Sequence, residues 1–281
     1  MVCKIKKRKN ILPFTKPSIS QAEIREVTDT LRSGWLTTGP KTAKFTNQFK
    51  KFAGAKHAIA LNSATAGLHL AYTTAGIKPK EEILTSPLTF CATANCAIHA
   101  GTGVNFADIN IDTLNIDINA INSAVKPKTK IIVPIHFAGL PCDIDAIKKI
   151  ARKNGSLVIE DAAHATGAEY KGKKIGSLSD MTVFSFHANK NLTTGEGGMI
   201  TFNNPIYKER LEILSFHGIN KNAFKKYKNR APYDFDVEEA GFKYNMLDLQ
   251  AAIGLHQLKK INSFNKRRRE IAQKYICAFK N

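Results

Sequence analysis

Between residues 57 and 190 short apolar runs alternate with helix-like segments, and this alternation constrains the fold more than any other feature of the chain. "HAIALNS" reads as a strand and "TAGLHLAYTTAG" as a helix. "EILTS" is a strand, "FCATANCAIHAG" a helix and "GVNFADI" a strand. "TKIIVPIHFAG" is a strand and "DIDAIKKIARKNG" a helix closed by Gly155. "LVIEDAA" and "MTVFSFHANK" are two further strands. Such an order predicts an α/β domain around a mainly parallel sheet flanked by helices. Upstream, "SQAEIREVTDTLRSG" carries Ile24, Val27 and Leu31 at helical spacing behind a Ser20 cap, and "TAKFTNQFKKFAG" is an amphipathic helix ending at Gly54. No internal repeat or low-complexity linker interrupts the pattern.

In sheets of this kind ligands bind beyond the carboxyl ends of the strands. That rule marks Asn62 to Thr65, Ser86 to Phe90, His136, Asp161 to His164 and Ser185 to Lys190. Each marked residue has an ordinary reading. Asp161 reads as a turn or capping aspartate, or as the partner of a protonated heteroaromatic nitrogen. "LNSATAGLHL" is a plain helix start, or a phosphate cradle in which small residues bare the backbone N–H groups at the positive end of a helix dipole. Phe90 is a core residue, or a flat ring for a flat cofactor. Lys190, in "SFHANKNLTTGEGG", is one surface charge among thirty-three lysines, or an amine that forms a Schiff base. Taken together, a phosphate cradle, a stacking ring, a carboxylate for a pyridinium and a Schiff-base lysine describe a site for pyridoxal phosphate.

Composition excludes several alternatives. The net charge of +19 raises the question of nucleic acid, but lysine outnumbers arginine 33 to 9 and the lysines are scattered. The clusters "KIKKRK" and "KRRR" sit near the two ends, and no DNA- or RNA-binding signature accompanies them. A lysine-rich surface or anionic substrates explain the charge, and no nucleic-acid partner is expected. Five cysteines without a C-x-x-C pair argue against a disulfide framework and against a metal cluster, and read as buried free thiols. No apolar run approaches the roughly 18 residues of a membrane span, and the basic N-terminus is not followed by a secretory core. The expectation is a cytoplasmic protein without membrane insertion.

The segments from "SGWLTTGP" to "GFKYNMLDLQAAIGLHQL", residues 33 to 258, resemble the DegT/DnrJ/EryC1/StrS family of pyridoxal-phosphate-dependent sugar aminotransferases. "LNSATAGLHLA", "EDAAHATGAEYKGKKIGSLSD" and "FSFHANKNLTTGEGGMI" carry the resemblance most specifically. It implies the aspartate-aminotransferase-like large domain of PLP fold type I, over residues 1–246. Lys190 would then hold pyridoxal phosphate and Asp161 would pair with its ring nitrogen. Ala64, Thr65 and Ser185 would bind the phosphate, Phe90 would stack on the ring, and His164 would lie beside it. His187 reads as a substrate contact or a satisfied structural histidine. "GFKYNM" resembles a segment that enters the neighbouring subunit's site, which would bring Lys243 or Asn245 to the partner's cofactor or substrate in a homodimer with shared active sites. Relatives often carry asparagine and arginine at these two places.

The resemblance further implies transfer of an amino group from an amino acid, glutamate in the usual case, to a nucleotide-linked keto sugar, for cell-surface polysaccharide or lipopolysaccharide synthesis. A few relatives have histidine at the Schiff-base position and dehydrate their substrate; Lys190 points to transamination. Residues 247–281 read as a connecting helix and the stub of a small C-terminal domain that is largely missing. Leu247, Ala251, Leu255, Leu258 and Ile261 lie on one side of that helix, and Ile271, Tyr275 and Phe279 continue an apolar stripe. The alternative expectation is therefore a truncated, weakly active or inactive family member with a binding or regulatory role.

Overall fold

The computed structural model describes residues 10, 11, 13–220 and 236–279; Cys3 and the 4–9 basic cluster lie outside them. Nine strands are present among these residues: β1 (His57–Leu61), β2 (Glu82–Thr85), β3 (Gly103–Phe106), β4 (Thr129–Val133), β5 (Leu157–Asp161), β6 (Glu169–Tyr170), β7 (Lys173–Lys174), β8 (Met181–Ser185) and β9 (Gly198–Phe202). Seven of them form one sheet in the order β1-β9-β8-β5-β4-β2-β3. β3, β2, β4, β5 and β8 are mutually parallel, and β9 runs antiparallel to both β8 and β1. Six strands therefore end at one edge of the sheet, and β9 begins there. The expected mainly parallel α/β sheet is present. β6 and β7 make a separate hairpin whose two-residue turn, Lys171 and Gly172, has positive φ at both positions, as a type I′ turn requires.

The helices are α1 (Gln21–Ser33), α2 (Pro40–Ala53), α3 (Ala64–Thr74), α4 (Ala92–His99), α5 (Ile118–Ala124), α6 (Ile144–Asn154), α7 (Ile206–Leu214) and α8 (Asp248–Ala278). Local chemistry sets their ends. Ser20 and Glu23 close a capping box on α1, while Gly54 and Gly155 end α2 and α6 in the left-handed conformation. α3, α4 and α7 cover one face of the sheet, burying Leu68, Tyr72, Cys96 and Leu211 against Ile131, Ile159, Val183 and Ile200. α2 and α8 cover the other face, with Phe45, Phe49 and Leu255 on Phe184 and Met199, and α5 and α6 continue that layer. Alternation along β5 sends Ile159 to the first face and Val158 to the second, which places Asp161 on the α4 side and Glu160 on the opposite side.

Two differences from the sequence reading have physical causes. Of the four cysteines among the described residues, Cys96 and Cys142 are buried, the pKa of each thiol pushed up to about 12 by burial; Cys91 and Cys277 are exposed, one ahead of α4 and one on the far end of α8. β8 stops at Ser185, because the chain then turns through a loop whose ends meet where Phe186 N donates to Gly197 O at 2.8 Å.

α8 is held by carboxylates. Asp248, 1% exposed, accepts from the backbone N–H groups of Gly39, Lys41 and Thr42 and from Thr42 Oγ1 at 2.7–3.0 Å. A negative side chain thus sits on the N-terminus of α2. Glu23 of α1 pairs with Lys260 and accepts from Gln257 and Ser20. Through Asn265, α8 is buried; beyond it Ile271, Tyr275, Ile276 and Phe279 are exposed.

Removing the Asp248 carboxylate leaves buried donors without acceptors. Asp248→Ala is expected to lower unfolding free energy by about 2–4 kcal/mol, and Asp248→Asn by less, in urea titrations. For Glu23, burial acts to raise the carboxyl, but hydrogen bonds from Lys260, Ser20 and Gln257 outweigh it and hold the pKa at about 2, below its ordinary 4.5. A depressed folded pKa contributes stability above the unfolded value that is lost as pH falls through the folded one. The stability difference between wild type and Glu23→Gln should therefore shrink from pH 4.5 toward pH 2. A constant difference across that window would contradict this role.

Candidate functional site

Asp161 terminates β5, 5% exposed, with its carboxylate on the α4 side of the sheet. Its Oδ2 accepts from Thr93 Oγ1 at 2.8 Å and its Oδ1 from the backbone N–H of Ala163 at 3.1 Å. Both donors are neutral. Buried charges are ordinarily paired with an opposite charge, so a cation is wanted beside this carboxylate. The backbone holds its place: Asp161 N donates to Pro134 O and His136 N donates to Asp161 O.

Lys190 lies in the loop after β8, where its N–H donates to His187 O at 3.0 Å. It is half-buried, and burial lowers its pKa, against the opposing pull of the Asp161 charge. His164 belongs to the same electrostatic group. Burial lowers its pKa first and the Lys190 charge next, with Asp161 opposing. Its ring meets Phe137 edge-on at 6.5 Å. His164, Lys190, Ala138, Asn189 and Asn191 line an open cavity of about 250 Å³. Three sequence-marked residues, Asp161, His164 and Lys190, are thus within electrostatic reach of one another.

The phosphate-cradle candidates form a second group, assembled by the sheet register. Ser185 of β8 and Leu61 of β1 both pair with Gly198, the first residue of β9. A Cβ at Gly198 would lie 2.4 Å from the Ser63 carbonyl and 2.7 Å from Ala64 N, so only glycine lets β9 start against the α3 turn. Ser63 caps α3 through Ala66 N at 3.0 Å, which commits its hydroxyl to the helix. The N–H groups of Ala64 and Thr65 are the first two of α3, ahead of any intrahelical acceptor. They, the dipole of α3 and the buried Ser185 hydroxyl suit an anion.

Phe90 is 76% exposed, which removes its core reading; it stands at the entry to α4, which starts at Ala92, and its carbonyl accepts from Thr93 N. His187 is tied into its own loop, with Nδ1 against Asn189 Oδ1 at 2.9 Å and Nε2 3.6 Å from Glu196. Lys243 and Asn245 lie apart from Lys190, on a strap laid along the end of β1, where Asn62 N donates to Tyr244 O at 2.8 Å. Phe242 and Tyr244 face His69 of α3. On the other side of the strap, Lys243 Nζ stands 4.0 Å over the Phe216 ring and Asn245 Nδ2 donates to Thr38 Oγ1 at 2.6 Å.

Sequence reasoning missed Thr93. The signal available was its place: Thr93 lies in the first turn of the helix that follows the marked segment Ser86 to Phe90. Thr89 and His136 are among the strand-end residues marked from the sequence, but their partners were not: Thr89 Oγ1 is 2.7 Å from Thr93 Oγ1, and behind the site His136 Nε2 and Glu160 Oε2 lie 2.7 Å apart, both fully buried. Among the described residues no group of three or more His, Cys, Asp or Glu could hold a metal ion, and no helix is long and apolar enough to cross a membrane.

The profile of the DegT/DnrJ/EryC1/StrS aminotransferase family matches residues 17–281, and the chain belongs to that family. It is 50% identical to the spore coat polysaccharide biosynthesis protein SpsC of Bacillus subtilis, over 98% of this chain and 71% of that protein. Among solved structures it is similar to the putative sugar aminotransferase Spr1654 of Streptococcus pneumoniae in its PMP form, with a TM-score of 0.91 and 36% identity over 96% of this chain and 72% of that one. It is also similar to Helicobacter pylori PseC, an aminotransferase involved in the biosynthesis of pseudoaminic acid, with a TM-score of 0.90 and 32% identity over 96% and 71% of the two chains. These neighbours have the fold that the sequence resemblance implied.

The Gly198 approach gives a direct test of the cradle. Gly198→Ala should push the Ser63–Ala64 backbone outward, costing about 1–3 kcal/mol of stability. It should also weaken binding of phosphorylated ligands, measured by calorimetric titration with pyridoxal phosphate. Unchanged affinity would mean that the Ala64 and Thr65 amides do not form the anion site.

Proposed function

We propose that the chain is a pyridoxal-phosphate-dependent sugar aminotransferase that moves an amino group from an amino acid, with glutamate as donor, to a nucleotide-linked keto sugar. One observation carries this reading: a buried carboxylate, Asp161, accepts from two neutral donors and lies within electrostatic reach of a half-buried lysine, Lys190, whose pKa burial lowers. The residues fit the cofactor. Asp161 supplies the charge that a ring N–H⁺ needs, Ala64, Thr65 and Ser185 the phosphate contacts, and the exposed Phe90 and His164 the surfaces beside a flat ring.

When bound, pyridoxal phosphate supplies an aldehyde carbon and a protonated ring that takes up the electron pair left by a departing proton. Lys190 Nζ is the amine that bonds the aldehyde carbon; burial favours its neutral, nucleophilic form. With the cofactor bound, the Lys190 nitrogen would also stand where a base is needed, to take a proton from the amino donor and return one. Asp161 holds the positive charge at the ring nitrogen throughout.

The product belongs to cell-surface polysaccharide synthesis, a reading supported by the name of the Bacillus relative and by the described role of PseC. A nucleotide-linked substrate goes with a cytoplasmic location, and its diphosphate suits a strongly basic chain. Residues 1–246 form the cofactor-binding unit and residues 247–281 the connection beyond it. Two chains share their sites: the strap that carries Lys243 and Asn245 lies beside the α3 turn, where a second chain could receive it, and His187 contributes at the loop edge.

The purified protein with pyridoxal phosphate should be yellow, and borohydride should fix the cofactor on the peptide that contains Lys190. Lys190→Ala should lose both the fixation and at least about 10³-fold of the glutamate-dependent amination of nucleotide keto sugars. Labelling of another lysine, or a Lys190→Ala protein of undiminished activity, would overturn the assignment.

A further inference from the structure

We propose that Thr93 is the positioning residue of Asp161: its hydroxyl fixes the carboxylate's rotation and, with Thr89 behind it, sets how strongly Asp161 holds a proton at the cofactor nitrogen. The inference rests on the proposed function and adds to it a residue two shells from the reacting carbon.

The direction of the hydrogen bonds follows from what each atom can donate. An ionised carboxylate only accepts. The single proton of Thr93 Oγ1 is therefore aimed at Asp161 Oδ2, 2.8 Å away. Thr93 Oγ1 can then only accept from Thr89 Oγ1 at 2.7 Å. Two hydroxyls point in series at one carboxylate oxygen, and such chains polarise one another. Thr93 has no exposed surface, so water does not replace this donor.

Thr93 shares with Thr42 of α2, whose hydroxyl donates to Asp248, the use of a helical hydroxyl on a buried carboxylate, and differs from four other helical threonines. Thr28, Thr30, Thr46 and Thr73 each donate to the carbonyl four residues back, at 2.7–2.9 Å. That local bond is the default for a helical threonine. Thr93 turns its hydroxyl away from the backbone and onto Asp161. Its own backbone does the structural work: Thr93 N donates to Phe90 O, and Thr93 O accepts from Tyr72 Oη at 3.2 Å. A valine at this position keeps the backbone bonds and the shape and removes only the hydroxyl. Phe90 stands two residues ahead of α4 and is tied to Thr93 by that backbone bond, so the entry to α4 holds both the exposed ring and the hydroxyl.

Loss of the Thr93 hydroxyl has one sign. A carboxylate with one donor fewer is more basic and draws the proton from the ring nitrogen to itself, and a carboxylate that rotates pairs with it less. Either way the ring carries less positive charge, and the bond it makes with Lys190 Nζ holds its own proton to higher pH.

The experiment titrates the visible absorption band of wild type, Thr93→Val and Thr93→Ser, each loaded with pyridoxal phosphate, and measures kcat and KM for the amino donor. Thr93→Val should raise the midpoint by about one pH unit and lower kcat roughly tenfold, with KM for the donor little changed. Thr93→Ser should titrate as wild type. A Thr93→Val midpoint equal to wild type overturns the proposal. Equal shifts in the Val and Ser variants do the same, since they would report packing and not the hydroxyl. Should Thr93→Val fail to fold, Thr89→Val removes the outer hydroxyl alone and should give a smaller upward shift; no shift there overturns the proposal. Borohydride labelling of wild type separates the two levels. A cofactor fixed on Lys190 with no Thr93 effect leaves the proposed function standing and this inference refuted. Absence of labelling at Lys190 refutes both.

Discussion

A carboxylate at the end of a buried strand has to be satisfied, and how Asp161 is satisfied shapes everything around it. Its neighbour Glu160 shows the alternative. Glu160 points to the opposite face, where His136 Nε2 at 2.7 Å and Thr182 Oγ1 at 2.9 Å close it off with no exposed surface. His136 Nδ1 is itself occupied, accepting from Cys142 N at 3.1 Å. That assembly is complete, because both ring nitrogens and both carboxylate oxygens have partners within it. Asp161 receives one hydroxyl and one amide and no charged partner among those bonds. The two adjacent carboxylates have the same chemistry, and the alternation of side chains along β5 gives them different fates.

The second constraint is that the turn at the start of α3 and the start of β9 occupy almost the same space. β9 is the only strand of the seven-stranded sheet that runs against the others, and it begins at the edge where the others end. Its first residue therefore meets the turns that follow β1 and β8. A side chain at Gly198 would collide with the Ser63 backbone, and one at Gly197 would lie 2.2 Å from Thr194 Oγ1. The glycine pair is thus a packing requirement imposed by topology, and it joins the Lys190 loop, closed by Thr194 N on Phe186 O, to the α3 turn. Cradle and lysine are two ends of one rigid connection.

Where the signal is local, the sequence could be read. Strand and helix alternation, the Ser20 cap, and the glycine ends of α2 and α6 depend on neighbours in the chain and appear where expected. So do Asp161, Lys190 and Ser185 at strand ends, because a parallel sheet puts strand ends together without further information. β9 and α7 were not read, since "GMITF" is short and its direction is set by pairing with β8 and β1, not by its composition. The exposure of Phe90 was equally hidden; a single phenylalanine carries no mark of which way its turn will face. Thr93 shows the limit most clearly. Nothing about a threonine in "FCATANC" distinguishes it from Thr28 or Thr73, and only the crossing of α4 over the end of β5 supplies it with a different acceptor.

The strap at residues 241–246 follows the same logic of two faces. Its extended backbone sends Phe242 and Tyr244 to one side, where their rings stack at 5.0 Å and Tyr244 Oη meets His69 Nδ1 at 3.0 Å. Lys243 and Asn245 go to the other. Burial lowers the pKa of His69, with the nearby charge of His99 adding to it, so the ring is neutral near pH 7 and anchors the strap by hydrogen bond and packing. Asn245 is fixed in turn through Thr38, whose hydroxyl donates to Met246 O at 2.6 Å, next to the Asp248 clamp on α2. The polar face of the strap is therefore positioned by α2 and α8, and its apolar face by α3. A segment anchored on both sides holds Lys243 and Asn245 in place beside the start of α3, because Asn62, just ahead of the Ser63 cap, is the residue whose N–H the strap accepts.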